Sequence, residues 1–139
     1  MSTITIFSTI GDSVSRERED IRHQLGRSST FLEQVEAAQS LLVDVAQALN
    51  SLISGHEPDA QLHLVVVVRR DDESTELVSG IVESGLGALV RSLSREFPAE
   101  RLRVNGVLSG AAAPDSAPLI ELLLQDRGAP FIGQVIHLD

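Results

Sequence analysis

The stretch Leu62-His-Leu-Val-Val-Val-Val68 decides the fold of this chain. A short, almost uninterrupted apolar run with four consecutive valines is typical of a strand that is buried on both faces of a sheet. Polar and charged residues follow at 69–74, a long segment with helical apolar spacing covers 75–97, and a second apolar run lies at 102–108. This alternation of strand and helix signals predicts a largely parallel sheet covered on both faces.

The same alternation extends toward both ends of the chain. Residues 3–9 alternate isoleucine with threonine and predict a first strand. A loop rich in alanine and proline follows the strand at 102–108, and we expect a short helix at 117–126 and a closing strand at 134–138. One core of this size accounts for 139 residues, so we expect a single domain over 1–139.

Residues 13–25 are dense in charge. Only Val14, Ile21 and Leu25 fall on one helical stripe, and Gly26 is a stop signal. We therefore expect at most a solvated helix here. The charge run Arg16–Asp20 is interpreted as exposed surface and not as a binding patch.

The strongest local signal predicts a long helix after residue 30. Thr30 and Glu33 have the spacing of a capping box, and Gly55 supplies a stop. Between them, apolar residues recur at alternating steps of four and three, as in a heptad seam. The seam comprises Phe31, Val35, Ala38, Leu42, Val45, Leu49 and Leu52, and Leu41 and Ile53 widen it.

The second long helix, over about 75–97, carries two different strips. We assign the core-facing role to Leu77, Ile81, Leu89, Leu93 and Phe97, and a strip of small residues to Gly80, Ser84, Gly87 and Ala88. Each glycine inside a helix costs roughly 1 kcal/mol relative to alanine, so Gly80, Gly85 and Gly87 need an offset. Close approach of another backbone supplies one, either from within the chain or from a partner.

Composition excludes several classes of function. The net charge of -9 and the four phenylalanines, without tryptophan or tyrosine, argue against nucleic-acid binding, which needs clustered cations and stacking aromatics. The chain has no cysteine, which excludes disulfides and thiolate catalysis. No basic-then-apolar leader is present, and the longest apolar run, Leu64 to Val68, is far too short to span a bilayer. We expect a cytoplasmic protein without membrane contact, and the use of arginine alone as cation suggests a bacterial source.

Three segments in the second half carry a family resemblance. They are Ala88–Phe97, the run Arg103-Val-Asn-Gly-Val-Leu-Ser-Gly110, and Phe131-Ile-Gly-Gln-Val-Ile-His-Leu-Asp139. In order and spacing they resemble the second half of the catalytic helix, the Arg-Val-Asn strand and the closing strand of the short-chain dehydrogenase/reductase family. The resemblance implies an α/β fold with a Rossmann-like three-layer arrangement and a mostly parallel sheet of four to five strands. It also implies that the chain corresponds to the C-terminal half of the family fold.

The family's chemistry does not accompany the resemblance. Family members use a tyrosine and a lysine four residues apart, and these slots fall on Ser79 and Glu83 of a chain that has neither residue type. The counterpart of the family's catalytic asparagine lies near Ala38. The glycine-rich phosphate cradle is represented by Gly11 alone, and Asp12 after it would repel a phosphate. We therefore expect no catalytic, cofactor-binding or metal-binding residues and no bound cofactor.

The leading hypothesis is a non-catalytic protein that serves as a structural or partner-binding subunit. In the family, the two long helices pair with their symmetry mates, which implies a homodimer or a hetero-oligomer with a full-length reductase. The interface residues implied are Val35, Ala38, Leu42, Val45, Leu49, Gly80, Ser84, Gly87 and Ala88. The alternative is an NAD(P)-dependent oxidoreductase with an atypical site or one shared with another chain.

A small anion site is a further hypothesis. Arg69 and Arg70 follow the central strand at the edge where open sheets bind ligands, and Ser109 ends the next strand. A solvated turn that caps the next helix is the alternative interpretation of the same residues. The four histidines are isolated in sequence, although His63 and His137 both fall on strands that could be neighbours in the sheet.

Overall fold

The computed structural model describes residues 2–10, 16–23, 30–57, 60–69, 76–110, 115–125 and 131–138. Within these ranges the chain forms five strands and three helices in an α/β arrangement. In chain order the elements are β1 (Ser2–Ile10), β2 (Arg16–His23), α1 (Phe31–Ser54), β3 (Leu62–Arg69), α2 (Glu76–Glu96), β4 (Leu102–Ser109), α3 (Ala117–Leu124) and β5 (Val135–Leu138). The predictions of a first strand, the central strand, both long helices and the closing strand are confirmed.

The five strands form one open mixed sheet in the order β2-β1-β3-β4-β5. The pairs β3–β4 and β4–β5 are parallel, whereas β1 is antiparallel to both β2 and β3. The expectation of a mostly parallel set of pairs is therefore wrong for the N-terminal half. Strands separated by a short connection pair antiparallel, whereas parallel pairs need a long crossover. β2 follows β1 closely, and α1 then carries the chain across β1 to β3.

The helices cover opposite faces of the sheet. Side chains at alternate positions of β3, among them Leu64 and Val66, pack with α1 and α2. The intervening Val65 and Val67 pack with Ile120 and Leu123 of α3 on the other face. A strand that is covered on both sides must be apolar at every position, and Leu62 to Val68 are all buried, His63 included.

The segment predicted as a solvated helix is a strand instead. β2 pairs along β1 from Ser2 opposite His23 to Thr9 opposite Arg16. The low strand propensity of charged residues does not prevent a strand here. A segment beside an available strand edge gains backbone hydrogen bonds whatever side chains it carries. Val14 and Leu25, which defined the helical stripe with Ile21, lie outside the described residues.

α1 begins at the predicted cap. The backbone N–H of Glu33 donates to the Thr30 hydroxyl at 3.3 Å, and that hydroxyl donates to the Glu33 carboxylate at 2.9 Å. The Gly55 N–H donates to the Ser51 carbonyl at the other end of the helix. Within the seam Ala38, Val45 and Leu49 are buried and Leu42 and Leu52 are partly buried, whereas Phe31 in the first turn is 69% exposed.

The core-facing side of α2 differs from the predicted one. Its fully buried apolar residues are Val78, Val82, Leu86 and Val90, spaced by four. Ile81, Leu89, Leu93 and Phe97 flank this line and are partly buried, whereas Leu77 is 37% exposed. The row that is buried depends on which side of α2 the sheet covers, and the apolar spacing alone did not identify that side.

α2 is also the one helix among the described residues with the length and mean hydropathy of a membrane span, over Leu77–Glu96. Core helices satisfy the same criterion. Because α2 packs against α1, β4 and β5, its apolar residues are accounted for by the core of the chain. The finding carries little weight as evidence for membrane insertion.

Candidate functional site

The carboxyl ends of β3 and β4 bring two of the predicted anion-site residues together. Arg69 and Ser109 are register partners at the last position of the parallel pair. β3 leads into α2 on one face of the sheet, and β4 leads into α3 on the other. Neighbouring strands with connections on opposite faces open a crevice between their carboxyl ends, which is where open α/β sheets bind ligands.

The two side chains differ in accessibility. Arg69 is exposed, whereas Ser109 is 1% exposed and its hydroxyl lies 3.4 Å from the Gly110 carbonyl oxygen. Arg70, the third predicted residue, lies outside the described residues. This edge of the sheet therefore offers one exposed guanidinium, in register with a hydroxyl that is buried and directed to its own chain.

The α1 members of the predicted interface lie mainly inside the chain. Ala38, Val45 and Leu49 are at most 1% exposed and belong to the core under the sheet. Val35 and Leu42 are half-buried. Because Ala38, Val45 and Leu49 pack in the core of their own chain, any contact of α1 with a partner involves its outer face.

Three of the four α2 members lie on the exposed side of the helix. Gly80, Ser84 and Ala88 are exposed and follow one another at intervals of four residues. A Cβ added at Gly80 would have no atom within 4 Å, so no neighbour in the described chain requires glycine there. Gly87 is buried, and a Cβ there would meet the Arg91 guanidinium at 3.2 Å.

Gly85, in contrast, has an intramolecular explanation. A Cβ at this position would overlap both methyl groups of Leu42 on α1 and lie 3.1 Å from its Cγ. The close approach that the sequence required is therefore supplied within the chain by a side chain of the neighbouring helix. The neighbour is a leucine side chain and not a backbone.

A polar groove between α2 and β5 was not predicted from the sequence. It has a volume of about 480 Å³ and is lined by Glu83, Ser84, Gly87 and Arg91 of α2 and by Gly133, Gln134, Val135 and His137. His137 Nε2 lies 3.2 Å from Glu83 Oε1, and both side chains are about half exposed. Nothing in the sequence links the two residues, because they meet only through the β4–β5 pairing.

One wall of this groove is fixed by buried hydrogen bonds. Asn105 is 1% exposed, donates through Nδ2 to the Phe131 carbonyl at 2.9 Å and accepts from the Gln134 N–H at 3.0 Å. Gly133 lies between them with φ +67, where a Cβ would be 2.9 Å from Ser94 Oγ. The left-handed conformation and this close approach both require glycine.

The hypothesis that His63 and His137 are neighbours is wrong. β4 separates β3 from β5, and the register partner of His63 is Arg103. The His63 ring lies under the end of α3, with Nδ1 2.8 Å from the Leu124 carbonyl oxygen. No group of three or more histidine or acidic side chains that could hold a metal ion occurs among the described residues.

Ser79 and Glu83 occupy the two positions that the family resemblance assigns to the catalytic tyrosine and lysine. Ser79 is 9% exposed on the sheet-facing side of α2, and Glu83 lines the groove in contact with His137. Neither offers a phenol beside an ammonium group, which is the arrangement that tunes a proton donor in that family. Comparison with family models, curated proteins and solved structures gives no match to this chain.

Proposed function

We propose that this protein is a non-catalytic subunit of the short-chain dehydrogenase/reductase type that binds a partner through the outer faces of α1 and α2. Its partner is a second copy of the chain, in a homodimer, or a full-length reductase with the same helical faces. The observation that supports this most directly is the exposed strip of Gly80, Ser84 and Ala88. We further propose that the fold corresponds to the C-terminal half of a Rossmann-like three-layer fold and that the protein acts in the cytoplasm.

Helix propensity makes this strip informative. Glycine in an exposed helix interior costs about 1 kcal/mol relative to alanine. At Gly85 the Leu42 side chain explains the glycine, but at Gly80 no described atom does. A strip without side chains lets another helix approach closely, so a partner accounts for Gly80 where the chain itself does not.

The outer face of α1 offers apolar contacts beside this strip. Leu32 is 62% exposed and Val43 is 53% exposed. Eleven residues are about three helical turns, so the two side chains lie on one side of α1. Because α1 and α2 pack side by side on the same face of the sheet, these residues and the α2 strip are available to one partner.

The absence of the tyrosine–lysine pair also favours a binding role. The chain contains no tyrosine and no lysine. Arginine keeps its charge near neutral pH and cannot replace a lysine that tunes a neighbouring phenol. Without this pair, the function that the fold can still provide is binding through its surfaces.

The test is the mass of the purified chain in solution, measured by light scattering after size-exclusion chromatography. We expect twice the chain mass of 14.9 kDa. Ala88→Arg places a long cation in the strip and is expected to return the mass to that of one chain. Ala117→Arg is the matched control, because Ala117 is equally exposed but lies on α3, across the sheet.

A single-chain mass for the wild type, together with no binding to a full-length reductase from the same source, would contradict the proposal. An unchanged dimer in Ala88→Arg would place the interface elsewhere. Both variants are compared by thermal unfolding, so that loss of folding is separated from loss of assembly.

The crevice at the ends of β3 and β4 favours a second candidate, an NAD(P)-dependent oxidoreductase that completes its site with another chain. Its supporting observation is the pairing of Arg69 with Ser109 at that edge. Saturable NADPH or NADH binding, measured by fluorescence and weakened in Arg69→Gln, is the expected result. No thermal shift at millimolar cofactor would exclude this candidate for the isolated chain.

A further inference from the structure

We propose that the groove between α2 and β5 binds an extended peptide segment of a partner protein, in which a basic and an acidic residue lie four positions apart. The peptide adds a strand to the outer edge of β5 and places its charged side chains against α2. This inference rests on different observations from the helical interface proposed above, although Ser84 borders both surfaces.

The edge of β5 provides the backbone half of this site. β5 ends the sheet, and no described strand pairs with its outer side. The carbonyl of Gln134 accepts from Gly106 of β4, and that of Leu138 accepts from Gly110, which follows β4 directly. Because consecutive residues of a strand direct their backbone groups to opposite sides, Val135 and His137 direct theirs outward. An extended chain can pair with such an edge.

The side chains of α2 provide the charged half. Glu83, Gly87 and Arg91 follow at intervals of four and all line the groove. Eight residues of helix span about 12 Å, which is the distance along α2 between the backbones of Glu83 and Arg91. The Glu83 carboxylate is paired with His137, and the exposed Arg91 guanidinium reaches back over Gly87, which has no side chain to block it.

The spacing of Glu83 and Arg91 along the α2 backbone matches a strand. Residues four positions apart in an extended chain lie about 13 Å apart on one face. A lysine or arginine then reaches Glu83 while an aspartate or glutamate reaches Arg91. The opposite charges at the two ends select this occupant, since a strand with one sign of charge would be repelled at one end.

The wall that carries β5 is held in place before any peptide binds. Asn105 fixes the segment from Phe131 to Gln134 from within the core. Strand addition gains affinity when the receiving edge is already ordered, because less conformational freedom is lost on binding. The groove therefore combines a fixed edge and two opposite charges.

The test uses labelled peptides of alternating threonine and valine and measures fluorescence anisotropy with the full chain. The first peptide carries lysine and glutamate four positions apart, the second carries lysine at both places, and the third carries glutamine at both. Wild type is expected to bind the first most tightly. Arg91→Glu is expected to weaken the first by about fivefold and to bind the second more tightly than wild type does.

Arg95→Glu is the matched control, because it changes the same charge on an exposed residue of α2 that does not line the groove. It is expected to leave the order of the three peptides unchanged. Arg91→Gln repeats the test with a smaller perturbation, and thermal unfolding of each variant checks that it folds. Hydrogen exchange of Val135 and His137 is expected to slow when the first peptide is bound.

Several outcomes would overturn the proposal. They are equal binding of all three peptides, no binding up to about 1 mM peptide, or an unchanged preference in Arg91→Glu. A change of the chain's solution mass in Arg91→Glu but not in Arg95→Glu would show that a second copy occupies the groove instead.

Discussion

The His63 ring and the Arg103 guanidinium are in contact beneath the C-terminal end of α3. Arg103 Nη2 lies 2.7 Å from His63 Nε2, and the two residues are 4% and 2% exposed. The same nitrogen donates to the Gln125 carbonyl at 3.2 Å, and Leu124 O lies 2.8 Å from His63 Nδ1. A helix end has carbonyl groups without helical partners and a partial negative charge, so a buried cation here holds α3 against the sheet.

Replacing Arg103 by leucine is therefore expected to loosen α3. The carbonyl of Gln125 loses its hydrogen bond from Arg103, and a hydrogen bond to a charged group contributes about 1.5–3 kcal/mol. Chemical denaturation should show a lower free energy of unfolding, and hydrogen exchange should rise in α3 more than in α2. Arg101→Leu is the control, because Arg101 binds the carbonyls of Ala60 and Ile53, away from α3. Faster exchange in α3 for both variants would contradict the assignment.

Two glycines of α2 are expected to respond differently to the same substitution. Gly80→Ala gains up to about 1 kcal/mol of helix stability in the single chain, because the new methyl group meets nothing. Gly85→Ala forces the Leu42 side chain to move and is expected to be less stable than Gly80→Ala by about 1–3 kcal/mol.

Denaturation of both variants and of Gly85→Ala combined with Leu42→Ala checks this explanation. If the contact with Leu42 causes the difference, Gly85→Ala is expected to cost less, or even to stabilise, in the Leu42→Ala background. Equal stability of Gly80→Ala and Gly85→Ala would show that α1 and α2 accommodate a methyl group at position 85 without losing free energy of unfolding.

Asn105 is expected to be among the most sensitive polar residues of the sheet. Asn105→Ala removes a donor to Phe131 and an acceptor for Gln134 at a buried position. Leaving these two backbone groups without partners costs about 1–3 kcal/mol each. Unfolding measurements and faster hydrogen exchange of β5 check the prediction. Gln134→Ala is the control, since that exposed side chain makes only a long local bond; a comparable loss in both variants would count against the role of Asn105.

The cap of α1 is expected to contribute measurably despite its exposure. Thr30→Ala removes the acceptor for the Glu33 N–H, and loss of such a cap costs about 1 kcal/mol. Ser40→Ala, at an exposed position within α1, is the control and is expected to be neutral or slightly stabilising, because alanine favours helix interiors. Denaturation midpoints compare the two, and equal effects would show that the cap is dispensable.

The sequence predicted correctly those elements whose pattern involves only neighbouring residues. The Thr30–Glu33 cap, the apolar run at Leu62 and the alternation in β1 each report a few neighbouring residues, and the corresponding elements are present. β2 was mistaken for a helix because its pairing partner is another segment. The core face of α2 was displaced for a related reason: which apolar row is buried depends on where the sheet lies.

Of the candidate sites, one could likewise be predicted from the sequence and the other could not. Arg69 and Ser109 could be proposed from sequence, because residues after parallel strands gather at one edge. The contact of Glu83 with His137 could not, since it requires that β5 pair beside β4 and that α2 lie over both. Gly80 and Gly85 appeared equivalent in sequence, and only the position of Leu42 separates them.

The sequence by itself determined where the helices and most strands begin, that the chain lacks a phenol and an ammonium group, and that it carries an excess of acids. These properties are fixed by residue type or by neighbours along the chain. The tertiary structure alone decided that β1 runs against its neighbours, which faces the helices cover and which charged side chains meet. Strand direction and contact depend on pairing between segments far apart in sequence, and the energies that select them arise only when those segments pack together.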